Sequence, residues 1–134
     1  MRISQEADYA LRIIFYLGNQ DETARCDVRS IANDISLPHR FAVKILRKLT
    51  LAGITKSFRG AYGGYNLMRT AQEISFLEVI QAIDGKIVIN KCLDDPDSCN
   101  DNRNGVCYVR NKLANVNRML IDQLEAINFS DARQ

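Results

Sequence analysis

Four cysteines are spread unevenly along this sequence. Cys26 stands alone, whereas Cys92, Cys99 and Cys107 share one polar segment, separated by six and seven residues. Zinc ribbons and knuckles are built on a closely spaced Cys pair, and none occurs here. Dithiol redox sites favour Cys-x-x-Cys, which is also absent. Wider spacing on a loop suits three thiolates wrapping a larger inorganic core such as an iron–sulfur cluster. Spacing alone leaves bound zinc and unligated thiols open. In a reducing compartment clustered cysteines bind metal or do redox chemistry rather than form disulfides. Cys26, beside a predicted helix start, reads as a small half-buried apolar residue.

A second constellation is cationic. The spacing predicts a helix from Pro38 to Ala52. One arc of it carries Phe41, Ala42, Ile45, Leu46, Leu49 and Ala52, and another carries Arg40, Lys44, Arg47 and Lys48. A helix fits the DNA major groove, where its N-terminal residues reach base edges. Those residues here are His39, Arg40, Val43 and Lys44, with Arg40 suited to a bidentate guanine contact. Arg47 and Lys48 lie further along and would meet phosphate. His39, the chain's only histidine, reads as a polar or DNA contact rather than a metal ligand.

Gly53 ends this helix as a left-handed cap, and a β-hairpin follows in Ile54–Phe58 and Tyr65–Leu67. Its tip is Arg59-Gly60-Ala61-Tyr62-Gly63-Gly64, with Arg59 placed to enter a minor groove and Lys56, Tyr62 and Tyr65 able to touch backbone. One basic helix face resembles any solvated face; joined to a Gly cap and an Arg-Gly-x-x-Gly-Gly turn it is far more specific.

The elements that must position these groups follow from periodicity and caps. Helix one runs from about Ser4 to Asn19 with Ala7, Ala10, Leu11, Ile14, Phe15 and Leu17 inward. Asp27 caps a short helix through Asp34. Ser75 and Glu78 form a capping box, with Ile74 and Val79 as its staple, on a helix ending at Asp84-Gly85. Residues 92–107 read as a polar loop. A last helix spans about Val106 to Ile127, its stripe Val109, Leu113, Val116, Leu120, Leu124 and Ile127 approaching a heptad seam. Such helices pair across two-fold axes or pack on their own domain.

Charge agrees. Residues 1–70 hold 11 Lys/Arg against 6 Asp/Glu, and residues 71–134 hold 7 against 10, within a net charge of +2. A basic front half suits a polyanion. No apolar run approaches the ~20 residues of a membrane span, and the start lacks a secretory signal, so a cytoplasmic protein with no membrane partner is expected.

The sequence resembles the family of iron–sulfur-linked bacterial winged helix-turn-helix regulators that includes IscR, NsrR and RirA. The likeness rests on Met1-Arg2-Ile3-Ser4, Asp8-Tyr9-Ala10-Leu11-Arg12, Lys44 to Leu49, Ala52-Gly53, Lys56 to Leu67, Ile80 to Gly85 and the late cysteine triplet. It covers roughly residues 1–127. The resemblance implies a homodimer joined by the long C-terminal helix, bound to a partly palindromic operator in double-stranded DNA. It further implies Cys92, Cys99 and Cys107 as ligands of a [2Fe–2S] or [4Fe–4S] cluster. Some members add a histidine after the third cysteine, which this chain lacks. The nitric-oxide-sensing branch instead uses an acid of the first helix on the other subunit's cluster, and Asp8 matches it. The loop acids Asp94, Asp95, Asp97 and Asp101 are rivals.

The expected fold is mainly α with a small β-hairpin wing. Residues 1–85 form a winged helix-turn-helix DNA-binding domain, and residues 86–134 a cysteine loop and dimerisation helix. The expected function is a regulator, a repressor, whose DNA affinity follows cluster state; no enzymatic role and no catalytic residue is expected. A cluster-free regulator responding by thiol oxidation or a protein partner is one rival. An electron-carrying iron–sulfur protein is another, disfavoured because it needs neither basic helix nor wing.

Overall fold

The computed structural model describes residues 2–100 and 107–130. The expectations placed on Met1, Asp101 and Val106 lie outside them. Helix α1 (Gln5–Gly18) starts because Ser4 caps it, its hydroxyl accepting from the Ala7 N–H at 3.0 Å. Helix α2 (Val28–Asp34) starts at Asp27, whose carboxylate accepts from the Ser30 N–H at 3.2 Å. Helix α3 spans His39–Leu51. Pro38 stands one residue earlier than expected, as N-cap rather than first helical residue, because its extended backbone turns the chain into the helix. Gly53, with φ of +76°, follows.

Strands β1 (Thr55–Phe58) and β2 (Gly64–Leu67) pair antiparallel, Thr55 opposite Leu67 and Phe58 opposite Gly64. After a 3-10 turn at Ala71–Glu73 comes α4 (Phe76–Asp84), capped by Ser75, whose Oγ accepts from the Glu78 N–H at 3.1 Å. Only half of the capping box forms, because the Glu78 carboxylate turns away to pair with Arg69. The stretch expected as plain loop holds two short turns, α5 (Lys91–Asp94) and a 3-10 turn at Pro96–Ser98. Helix α6 spans Tyr108–Ala126.

The fold is therefore mainly helical with one two-stranded wing. Ile13, Ile14 and Leu17 of α1, Ile31 of α2, and Ile45, Leu46 and Leu49 of α3 are fully buried together with Ile54, Ile74 and Val79. Burying each such side chain contributes about 1.5–3 kcal/mol before chain entropy is set against it. Two expectations fail at the edges of the apolar arcs. Phe15 is 53% exposed while Ile13 is buried, since the inward face of α1 centres nearer Ala10 and Leu17. Ala52 is exposed because α3 has ended before it.

Just beyond α6 the chain returns to the core. Phe129 is buried and stacks on Phe76 with ring centroids 4.8 Å apart, and its N–H donates to the Ala71 carbonyl at 3.1 Å. Helix α6 packs on α4 and α5. Its stripe divides: Leu113, Leu120 and Leu124 are half-buried against the chain's own body, while Val109, Val116 and Ile127 are exposed, as is Met119 outside the stripe. Among the described residues no helix is long and apolar enough to cross a membrane.

Candidate functional site

The first turn of α3 presents His39 and Arg40 fully outward and Val43 at its rim. The α2–α3 turn that aims them is tight: Ser36 takes φ of +57°, and the Leu37 N–H donates to the Ala32 carbonyl at 2.8 Å. Arg40 is exposed and keeps its guanidinium over the Phe41 ring, 5.1 Å from the centroid. Arg47 is exposed. Lys44 and Lys48 are not free cations. Both reach Glu6 in the first turn of α1, at 2.7 and 2.9 Å. Sequence reasoning missed that pairing, because residues 38 and 42 positions apart meet only once α1 crosses α3.

The wing is anchored at its base. Cys26 and Tyr65 exchange backbone hydrogen bonds of 2.9 and 2.8 Å, adding a third rung beside β2. The buried Asn66 amide nitrogen lies 2.6 Å from the Ala24 carbonyl and 3.2 Å from those of Asp21 and Glu22. This seam brings in a cation the sequence did not assign: Arg25 lies over the Phe58 ring at 4.2 Å, with Lys56 at 5.4 Å. At the tip Arg59 and Tyr62 are exposed, while Tyr65 is half-buried. Gly63 is required there, since a Cβ would stand 2.4 Å from the Phe58 carbonyl oxygen.

Cys92, Cys99 and Cys107 line one cavity of about 270 Å³. Each arrives differently: Cys92 in α5, Cys99 just past the 3-10 turn, and Cys107 as the N-cap of α6, its sulfur accepting from the Arg110 N–H at 3.5 Å. That places the Cys107 sulfur at the positive end of a long helix dipole, the end that favours anions. The Arg110 Nε donates to the Cys92 carbonyl at 3.4 Å, tying two of the three positions together. Among the described residues no three His, Cys, Asp or Glu side chains already stand close enough to hold one metal ion. The soft donor set and the shared cavity fit three thiolates around a body larger than a single ion.

Asp8 lines a different, apolar cavity with Leu11, Phe15, Ile35, Phe76 and Phe129, and it pairs with Arg12 at 3.1 Å. Within one chain it is not brought to the cysteines. Of the rival acids, Asp94 pairs with Lys86 at 3.6 Å and Asp95 caps the 3-10 turn. Cys26 lies outside the cysteine cavity, and burial, with Asp27 and Asp34 nearby, pushes its thiol up.

Residues 3–133 match the model of the Rrf2 family, described as iron-dependent transcriptional regulators. An Rrf2-like HTH-type transcriptional regulator of Rhodobacter capsulatus is 29% identical over 96% of this chain and 90% of its own length. The HTH-type regulator CymR of Bacillus subtilis is 31% identical over 72% of this chain and 70% of its own. The structure of that protein, described as a global cysteine regulator, superposes with a TM-score of 0.78 over 99% of this chain and 96% of its own, at 24% identity. The structure of T. potens IscR shares the fold with a TM-score of 0.75 at 21% identity, over 98% of this chain and 85% of its own. Both of these relatives are named as transcriptional regulators.

Proposed function

The chain belongs to the Rrf2 family of transcriptional regulators, and from that premise we propose that it is a cluster-controlled repressor acting as a homodimer in the cytoplasm. Its first domain, residues 1–85, reads a partly palindromic operator, and residues 86–134 carry the cysteine cavity and the dimer helix. His39, Arg40, Val43 and Lys44 face base edges. Arg47, Lys48, Lys56, Tyr62 and Tyr65 face the DNA backbone, and Arg59 enters a minor groove.

The observation that carries the control is the convergence of Cys92, Cys99 and Cys107 on one cavity. Those thiolates would hold an iron–sulfur cluster, with the partner's Asp8 as the fourth ligand. Bound there, a cluster would supply sensitivity to iron supply or to small oxidants. The chain's own residues supply position: Cys107 fixes one sulfur at the start of α6, and Arg110 holds the Cys92 backbone to the same helix turn.

A second reading, direct thiol oxidation without a cluster, is favoured by the same shared cavity and by the likeness to CymR. Anaerobic purification separates them. The cluster reading expects a coloured protein whose visible absorption vanishes on chelation, with a change in affinity for the operator that the protein selects from random duplexes. A colourless protein whose DNA affinity responds to disulfide-forming oxidants would establish the second reading instead.

A further inference from the structure

Glu6 divides its carboxylate between two lysines of the recognition helix, Oε1 to Lys44 and Oε2 to Lys48. Its own position is fixed. It lies in the first turn of α1, where the helix dipole favours an anion, and that turn is nailed to the end of α4. The Ser4 N–H donates to Asp84 Oδ2 at 2.9 Å, and the Ser4 hydroxyl donates to the other oxygen of the same carboxylate.

Two of the four cations on α3 therefore meet DNA already partnered, while Arg40, at the base-reading end, is clear of Glu6. These two classes of contact act differently. Attraction of cations to phosphate supplies essentially all non-specific binding, whereas base-edge contacts supply discrimination. A fixed carboxylate on Lys44 and Lys48 must be displaced before either meets DNA, whatever the sequence, and that cost lowers affinity for every duplex.

We propose that Glu6 holds down the affinity of α3 for duplex DNA by competing with it for Lys44 and Lys48. The proposal rests on α3 being the DNA-reading helix. On any duplex the two lysines make their DNA contacts only after leaving the carboxylate.

Glu6→Gln is isosteric and tests this in the full chain, by fluorescence anisotropy on selected operator and on random duplex across a salt series. Affinity for both duplexes should rise, by about tenfold on random DNA, with the log–log salt slope there steepening by about one phosphate's worth. In a Lys44→Gln, Lys48→Gln background the same substitution should do nothing. Unchanged affinity, weaker binding, or an equal gain without the lysines would each overturn the proposal. Arg40→Ala keeps the two levels apart. If it binds operator as the wild type does, the interface itself is wrong and the proposal falls with it. If Arg40→Ala is impaired while Glu6→Gln behaves as wild type, the role of Glu6 alone is overturned.

Discussion

The side-chain oxygen of Asn117 accepts a hydrogen bond from the backbone N–H of Ile89 at 2.9 Å, and its amide nitrogen donates to the Ile87 carbonyl at 3.2 Å. Asn117 is the buried residue of α6, and it offers a peptide-like edge to the extended segment that leads into Cys92. A leucine there would have completed a self-packing helix. The asparagine instead fixes the register of the segment against α6, and so fixes where Cys92 lies relative to Cys107.

Asn117→Ala should therefore cost about 1–3 kcal/mol, since two backbone groups of a half-buried segment lose their partners. Thermal melting reads the loss, and hydrogen exchange locates it. Faster exchange at the Ile89 amide is expected, and unchanged protection there would mean that Asn117 does not hold the segment.

The wing yields a prediction from sterics. At Gly63 a methyl group would stand 2.4 Å from the Phe58 carbonyl oxygen and 2.9 Å from that of Gly60, contacts that backbone must move to relieve. Gly63→Ala should open the hairpin tip, moving Arg59, and lower DNA affinity while the helical core stays folded. Near-native circular dichroism with weakened binding is the expected pair of results; full binding would show that the tip does not touch DNA.

Why some of this was legible in the sequence and some was not comes down to range. Ser4, Asp27 and Ser75 act on N–H groups three residues away, so composition and spacing reveal them. Gly53 declares itself because only a left-handed residue ends α3 there. The Glu6–Lys44–Lys48 cluster, the Cys26–Tyr65 rung and the return of Phe129 to the core join distant segments, and no local pattern encodes them. Phe15, expected inward, is exposed and Ile13 is buried because an apolar arc read from sequence has soft edges, and the neighbours decide which edge is covered. The cysteine triplet was visible as a composition feature; its gathering around one cavity needed the turns at Lys91–Asp94 and Pro96–Ser98.

Acid should weaken one tie between α1 and α3. The folded Glu6 carboxyl is depressed, so its stabilising contribution is complete above the ordinary value of 4.5 and is lost as pH falls through the lower folded value. Wild type should melt slightly above Glu6→Gln at pH 7, because water reaches both lysines and screens their pairing with the partly covered Glu6, and the gap should close on acidification below that range. A gap that persists at low pH would assign the difference to something other than the ion pair.

The open edge of α6 gives a test of the dimer. Val116 is 53% exposed and Met119 66% exposed, so neither is needed by the chain's own core. Leu120, half-buried against the body, is a poorer probe because a charge there would also disturb the fold. Val116→Asp should leave the melting of the core intact and yield a monomer by light scattering at micromolar concentration. A dimer that survives would place the two-fold contact on another face.

The cysteines allow the sharpest separation of roles. Cys99→Ala removes one of three thiols from the cavity and should abolish the visible chromophore of anaerobically purified protein. Cys26→Ser should retain it, because that thiol lies outside the cavity and its backbone, not its sulfur, joins the wing. Asp8 is the intermediate case. It pairs with Arg12 within its own chain, and a carboxylate is a hard ligand among soft thiolates, so it is the donor most easily given up. Asp8→Ala should keep the chromophore but shorten its lifetime in air and loosen its control of DNA affinity. Helix α1 carries both Asp8 and Glu6, so a change at one end of this first turn reaches the lysines of α3 at the other. If Asp8→Ala leaves spectrum, lifetime and DNA affinity unchanged, Asp8 serves only Arg12, and the fourth ligand must come from the acids of the cysteine segment.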